Sequence, residues 1–321
     1  MLSVILGAGF SHVGGVPLAS QLFDEYPEVD RITRVRLVQR VLARWEAWQA
    51  RNVGGPEEYL AFLEKQGGGD WRDALWFVSL VIALRMGRVE LVGMNTTITR
   101  HNIDRTTRIQ AHEDFWTTIF KRTTNVGVIT TNYDILIERG LRCQPRPRVP
   151  RPGFHYGEGP ESLKGGGYPS YTHIRPIEAS GSVPLYKLHG SISWAIRNGK
   201  LVRYHDCRPA IRGDAFIVAP IIEKYIPDYL RKVWDQAAAC LSESNKWIIV
   251  GYSLPSYDLA VRNLLKRNSS HGPCIHIFDP NPDVASETKR ILPRASVYLH
   301  PGLPDVLADL YEVLNDVVRD L

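Results

Sequence analysis

The chain opens with Leu2, Val4, Ile5 and Leu6, a short apolar run that stops at Gly7-Ala8-Gly9. Small residues at such a stop let the backbone turn sharply and approach a ligand, so the pattern predicts a buried strand running into a phosphate-binding turn. The strand starts almost at the first residue, and nothing is expected to precede the nucleotide site. A hydride-transfer domain would place a third glycine three residues after Gly9 and an acidic residue at the end of the next strand. His12 stands at the first of those positions. The segment from Arg31 to Ala50 carries Ile32, Val35, Val38, Val41, Leu42 and Trp45 at helical spacing, not as a strand. Orthodox hydride transfer is therefore disfavoured.

Leu18 to Phe23 can open a helix, and the helical pattern continues from residue 30 to residue 122. Glu57 to Gln66, Trp71 to Val92 and Thr107 to Arg122 are its further helices, separated by Gly-rich or polar breaks. Trp45, Trp48, Trp71, Trp76 and Trp116 fall in this region and read as helix–helix core.

Strand character returns at Asn125 to Thr130, and recurs at Val183 to Leu188, Ala215 to Pro220, Lys246 to Val250, Cys274 to Phe278 and Ala295 to Leu299. Helices are expected at Ile135 to Leu141, Ile226 to Ser242 and Ser256 to Lys266, with an amphipathic helix closing the chain. This alternation predicts an α/β fold: a Rossmann-like doubly wound parallel sheet with right-handed crossovers and an inserted helical module. One domain spans 1–321, its sheet core drawn from 1–29 and 123–321, with the helical insertion at 30–122. Residues 142–170 are rich in Pro, Gly and Arg, with Arg142, Arg146, Arg148 and Arg151 spaced by prolines, and read as a long surface loop, a lid or a basic contact patch.

At 321 residues, 44% of them hydrophobic, the chain can bury a large core, and whole-chain disorder is excluded as a class. Its net charge of +5, from 39 basic and 34 acidic residues, is a mild excess that permits a nucleic-acid partner without arguing for one. No basic-then-apolar leader opens the sequence, and its longest dense apolar run, Ala74 to Leu84, is too short to span a bilayer. A cytoplasmic protein with no membrane partner is expected. Cys143, Cys207, Cys240 and Cys274 lie far apart with no close pair, so no metal site is expected.

Five strands end in small or polar residues: Gly7-Ala8-Gly9-Phe10-Ser11, Thr131-Asn132-Tyr133-Asp134, His189-Gly190, Gly251-Tyr252-Ser253 and Asp279-Pro280-Asn281. If the five strands are parallel, these residues converge on one crevice at the carboxyl edge of the sheet. Each motif alone is weak, and their convergence is the signal.

In this order the motifs resemble the sirtuin superfamily: G-A-G-F-S at Gly7 to Ser11, T-T-N-Y-D at Thr130 to Asp134, L-H-G-S at Leu188 to Ser191, G-Y-S-L at Gly251 to Leu254 and D-P-N at Asp279 to Asn281. G-G-V-P at Gly14 to Pro17 and G-Y-S-L-P-S-Y-D at Gly251 to Asp258 are more similar to the bacterial branch linked to phage defence than to the protein deacylases. Deacylase sirtuins carry a zinc ribbon with two cysteine pairs after the H-G motif, and this sequence has no such pairs. The resemblance implies NAD as substrate, no zinc, and an NAD glycohydrolase that releases nicotinamide. It also implies a defence effector gated by a partner, a HerA-type ATPase or another co-encoded protein, within a homo-oligomer. A nucleotide-binding subunit of a DNA-acting complex and a lysine deacylase are the alternatives.

The residue chemistry fits such a substrate. Backbone N–H groups around Gly7, Ala8 and Gly9, at the start of a helix, can hold a pyrophosphate. Asn132 and His189 are the candidate catalytic residues. Asn132 offers a donor and an acceptor to a ribose hydroxyl or the attacking water, and a neutral His189 can accept a ribose hydroxyl proton. Asp134 can take the nicotinamide amide or stabilise positive charge beside it. Asp279 can accept from a ribose hydroxyl. Ser11, Thr131, Gly251, Ser253 and Asn281 complete the candidate binding set, although Ser11 and Ser253 fit helix caps equally well. Tyr252 and Tyr257 read as packing residues.

Overall fold

A computed structural model describes residues 1–23, 36–85, 90–92, 95–97, 108–142, 153–162, 182–204, 207–219, 226–300 and 316–317. Seven strands form one parallel sheet: β1 (Leu2–Leu6), β2 (Val126–Thr130), β3 (Phe154–His155), β4 (Val183–Lys187), β5 (Lys246–Val250), β6 (Cys274–Phe278) and β7 (Ser296–His300). Their order across the sheet is β7-β6-β5-β1-β2-β4-β3. β1 and β2 are buried along their whole length, as central strands covered on both faces must be, and their near-continuous apolar sequence follows from that. All five strands whose ends carry the motifs are parallel members of this sheet, as the alternation predicted.

From β1 the chain moves outward to β2 and later returns to β1's other side as β5. β1 and β5 therefore flank the point where the strand order reverses, the usual ligand crevice of an open α/β sheet. The registers pair Leu6 with both Val250 and Thr130, so the three central strands end level. Hydrogen bonds carry the ladder one step beyond these ends: Gly7 N–H donates to Val250 O (3.0 Å), Thr131 N–H to Leu6 O (3.3 Å) and Gly251 N–H to Phe278 O (3.0 Å). The turns are thereby fixed relative to one another before any side chain is considered.

Between β1 and β2 lie helices Arg36–Gln49, Pro56–Gln66, Gly69–Arg85 and Arg108–Phe120. Pro56 opens the second at its first turn, and the Glu58 carboxylate accepts the Gly55 N–H at 2.8 Å. Phe23 joins the first three helices, stacking on Trp45 (5.0 Å) and Phe77 (5.3 Å) and meeting Tyr59 edge-on. Trp116 is fully buried and meets Phe10, so these aromatics serve the core. The helix expected from Trp71 to Val92 ends at Arg85. Glu90–Val92 instead pairs with Asn95–Thr97 as a short antiparallel hairpin, because β-branched and polar residues replace the helix formers there.

Three other expectations are corrected. Leu18 to Phe23 yields only the 3₁₀ turn Ala19–Gln21, while the helix of that region is Ala8–Val13. Of the described residues from Ala215 to Ala219, only Phe216–Ile217 forms a strand, and it pairs with Gly190–Ser191 outside the main sheet. The stretch read as a loop over 142–170 contains the edge strand β3, whose two residues are too few to show a period. Arg146, Arg148, Arg151 and Cys143 lie outside the described residues, as does the expected closing helix apart from Asp316 and Val317. Among the described residues no helix is long and apolar enough to cross a membrane.

Candidate functional site

The turn after β1 and the turn after β5 interlock. Gly251 has φ +57°, and a Cβ there would lie 2.4 Å from the Phe10 nitrogen. A Cβ on Gly7 would lie 2.5 Å from the Gly251 carbonyl oxygen. Only glycine fits at either position, because the two backbones touch. Gly7 N–H is committed to Val250 O and Gly9 N–H to Gly251 O (2.9 Å), so neither is free to hold a phosphate in this arrangement. The turn's glycines serve the close approach of two strands, and Ala8 and Ser11 are the residues it presents to the cavity.

That cavity, of about 120 Å³, is lined by Ala8, Ser11, Thr131, Asn132, Asp134, His189, Gly251 and Ser253 of the expected set. Apolar walls come from Val16, Leu22 and, from the helical insertion, Ile82. Neither Ser11 nor Ser253 caps a helix. Ser11 lies within Ala8–Val13, and Ser253 precedes Leu259–Arg267 by six residues.

Asn132 is held from three sides. Its backbone N–H donates to Thr130 Oγ1 (3.0 Å), and its Nδ2 donates to Gly7 O and to Ser11 Oγ, each at 2.8 Å. Both amide hydrogens are thus used inside the protein. Of the donor and acceptor expected of this side chain, the acceptor Oδ1 is what remains for a ligand. Asp134 Oδ1 accepts the Leu136 N–H at 2.8 Å at the start of the helix Leu136–Arg142. The Asp134 carbonyl accepts from Lys187, whose Nζ also meets Glu138 Oε1 at 3.0 Å. Lys187 and Glu138 are both fully buried, and Tyr156 O–H donates to the same Glu138 oxygen at 2.8 Å. A charged network under the sheet edge therefore anchors the loop that carries Asn132 and Asp134.

His189 follows β4 and lies between the rings of Tyr133 (6.3 Å) and Trp234 (6.4 Å). Tyr133 is itself fixed by donation to Val218 O at 2.6 Å, and Trp234 by donation to Leu188 O at 3.0 Å. His189 Nε2 stands 3.6 Å from Asp258 Oδ2, which accepts from Tyr252 O–H at 3.1 Å. Burial, followed by the Asp258 charge, pushes the Tyr133 and Tyr252 hydroxyls well above their ordinary range, so both remain donors. Tyr257 O–H donates to Glu57 of the helical insertion at 3.0 Å, joining that module to the site. Sequence reasoning missed Asp258 and Lys187. Asp258 was visible as the last residue of G-Y-S-L-P-S-Y-D, but it falls inside the helix expected from Ser256 to Lys266, where an acidic residue reads as surface. A lysine inside a strand pattern gives no sign that it is buried.

Asp279 and Asn281 sit further along the same sheet edge and do not line the cavity. The Asp279 carboxylate accepts the Asn281 N–H (2.9 Å) and Asn281 Oδ1 the Asp283 N–H (3.0 Å), at the start of the helix Asp283–Ile291. Burial raises the Asp279 carboxyl above its usual range, and the Asn281 N–H offsets part of that rise. Among the described residues no group of three His, Cys, Asp or Glu side chains is arranged to hold a metal ion.

The sequence model of the SIR2-like domain matches residues 126–296. No curated protein matches the chain. Among solved structures, the crystal structure of a Sir2 homologue in complex with NAD is similar, with a TM-score of 0.50 and 16% identity over 99% of this chain and 90% of that one. A mutant Sir2 homologue in complex with 2′-O-acetyl ADP-ribose follows, with a TM-score of 0.49 and 14% identity over 99% of this chain and 92% of that one. At 16% identity the likeness to the NAD complex shows the fold alone.

Proposed function

Because the chain belongs to the SIR2-like domain family, we propose that it binds NAD in the β1/β5 crevice and hydrolyses it to nicotinamide and ADP-ribose. The observation that carries this reading is the meeting of Ser11, Asn132 and His189, from three strand ends far apart in the chain, on one cavity at the switch point of the sheet. The fold's resemblance to a Sir2 homologue solved with NAD supports the choice of substrate.

In this reading the cavity takes the nicotinamide end, and the rest of the crevice takes the remainder of the dinucleotide. Ala8, Thr131 and Ser253 contact the substrate, and Asp279 and Asn281 wait at the adenosine end. Asn132 Oδ1 accepts from a ribose hydroxyl or from the attacking water. Asp134 places negative charge beside the oxocarbenium-like ribose. The bond from ribose C1′ to the nicotinamide nitrogen breaks, and its electron pair leaves with nicotinamide. Water oxygen bonds to C1′, and its proton passes through His189 to solvent. Four cysteines without a close pair favour water over an acyl-lysine as the acceptor.

Unrestrained loss of NAD would kill the cell, so the activity is held off until a partner or a homo-oligomer releases it, as fits an effector of phage defence. Incubation of the purified chain with NAD, with and without the product of the neighbouring gene, is expected to release nicotinamide, and His189→Ala to slow release by about 100-fold or more. Inactivity with every candidate partner, or full activity in His189→Ala, would overturn the proposal. An acetyl-lysine peptide assay separates hydrolysis from deacylation.

A further inference from the structure

Asp258 precedes the helix Leu259–Arg267 in the N-cap position, where an Asp carboxylate ordinarily accepts a backbone N–H of the first turn and stabilises the helix. Its side chain makes no such bond. The carboxylate is turned the other way, towards His189 Nε2 at 3.6 Å, with the Tyr252 hydroxyl donating to the same oxygen. The His189 and Asp258 side chains are only 4% and 3% exposed. A carboxylate withdrawn from water and from its capping role in favour of an imidazole is placed for that imidazole.

We infer that Asp258 is the positioning residue for His189: it orients the ring and stabilises the imidazolium that forms when His189 takes a proton, while Tyr252 holds the carboxylate in place. This deepens the reading of His189 as the proton acceptor and rests on it. At 3.6 Å the contact is longer than a hydrogen bond, and it shortens as the ring gains charge. The other charged and titratable groups around Asp258 are committed elsewhere. Arg262, one turn along the helix, pairs with Glu287, Glu57 accepts from Tyr257, and Tyr133 donates to Val218 O. Asp134, across the cavity, takes the Leu136 N–H.

Two measurements on the full chain test the inference, and only one of them needs turnover. In ¹⁵N-histidine spectra, with His189 assigned from a His189→Gln spectrum, Asp258→Asn is expected to lower the His189 titration midpoint by about one pH unit or more, since a carboxylate this close favours the charged ring. Asp258→Ser, which keeps a capping side chain, replaces the Asn variant if the latter does not fold, with the same expected shift. In the nicotinamide-release assay Asp258→Asn is expected to lower kcat by about 100-fold with KM nearly unchanged, and Asp258→Glu to recover part of it. The double variant with His189→Ala is expected to be no slower than His189→Ala alone. An unmoved midpoint or additive losses would overturn the role of Asp258. If the wild-type chain releases no nicotinamide under any condition, hydrolysis fails as a function, and the spectra still decide the His189–Asp258 coupling.

Discussion

The Asn132 side chain donates one amide hydrogen to the Gly7 carbonyl oxygen and the other to the Ser11 hydroxyl, each at 2.8 Å, and so ties the end of β2 to the turn after β1. Asn132→Asp keeps the shape but removes both donors and sets a carboxylate against the Gly7 carbonyl. A buried acceptor left without its donor costs about 1–3 kcal/mol, so a stability loss of that order is expected in urea denaturation. Nicotinamide release should fall by about 100-fold or more. A variant with wild-type stability and turnover would show that this tie is incidental.

Gly251→Ala should be among the most damaging single substitutions in the chain. It combines a left-handed backbone, at about 1–3 kcal/mol, with an overlap between two backbones that have no side chain to yield. A loss of at least about 2 kcal/mol is expected from denaturant midpoints. A variant within experimental error of the parent would mean that the two turns separate easily.

The pair of Lys187 and Glu138 predicts that a second change restores stability lost in the first. Lys187→Met strands a buried carboxylate and should cost about 3–5 kcal/mol. Adding Glu138→Gln, which leaves the Tyr156 hydroxyl an acceptor, should recover most of that loss. Chemical denaturation of the two variants measures the coupling, and a double variant no better than Lys187→Met would refute it.

His276 supplies a pH dependence unrelated to the cavity. Burial first, and the neighbouring His300 ring 3.0 Å away second, push it from 6.5 to about 4. Between those values the unfolded chain binds a proton that the folded chain does not. The stability His276 confers is therefore complete above about pH 6.5 and is lost as the pH falls towards 4. Urea midpoints should drop between pH 7 and pH 5, and His276→Gln should flatten the drop. Burial also lowers His112 and His300, so a residual slope is expected. An identical slope in the variant would remove His276 as its source.

The strands that carry the site were readable because each is a run of about five apolar residues that ends in a glycine or a polar cluster, and β1, β2 and β5 are buried on both faces. Strand order was not readable, since it depends on which partners meet β1, and both are remote in sequence. Gly7 and Gly9 were recognised as necessary glycines, but the backbone they accommodate is that of Gly251, a contact between residues more than 240 positions apart. The two-residue strand β3 is too short for any periodicity, and the buried charge of Lys187 leaves no local trace. Asp258 was in view within its motif, yet its orientation towards His189 is a tertiary fact.

Both neighbours of β1 are made long after it, β2 from residue 126 and β5 only from residue 246. At roughly 5–20 residues per second of synthesis, the first strand emerges well before its second edge has a partner. The interlocked turns and the pairing of His189 with Asp258 therefore form only once the chain has been made as far as residue 258.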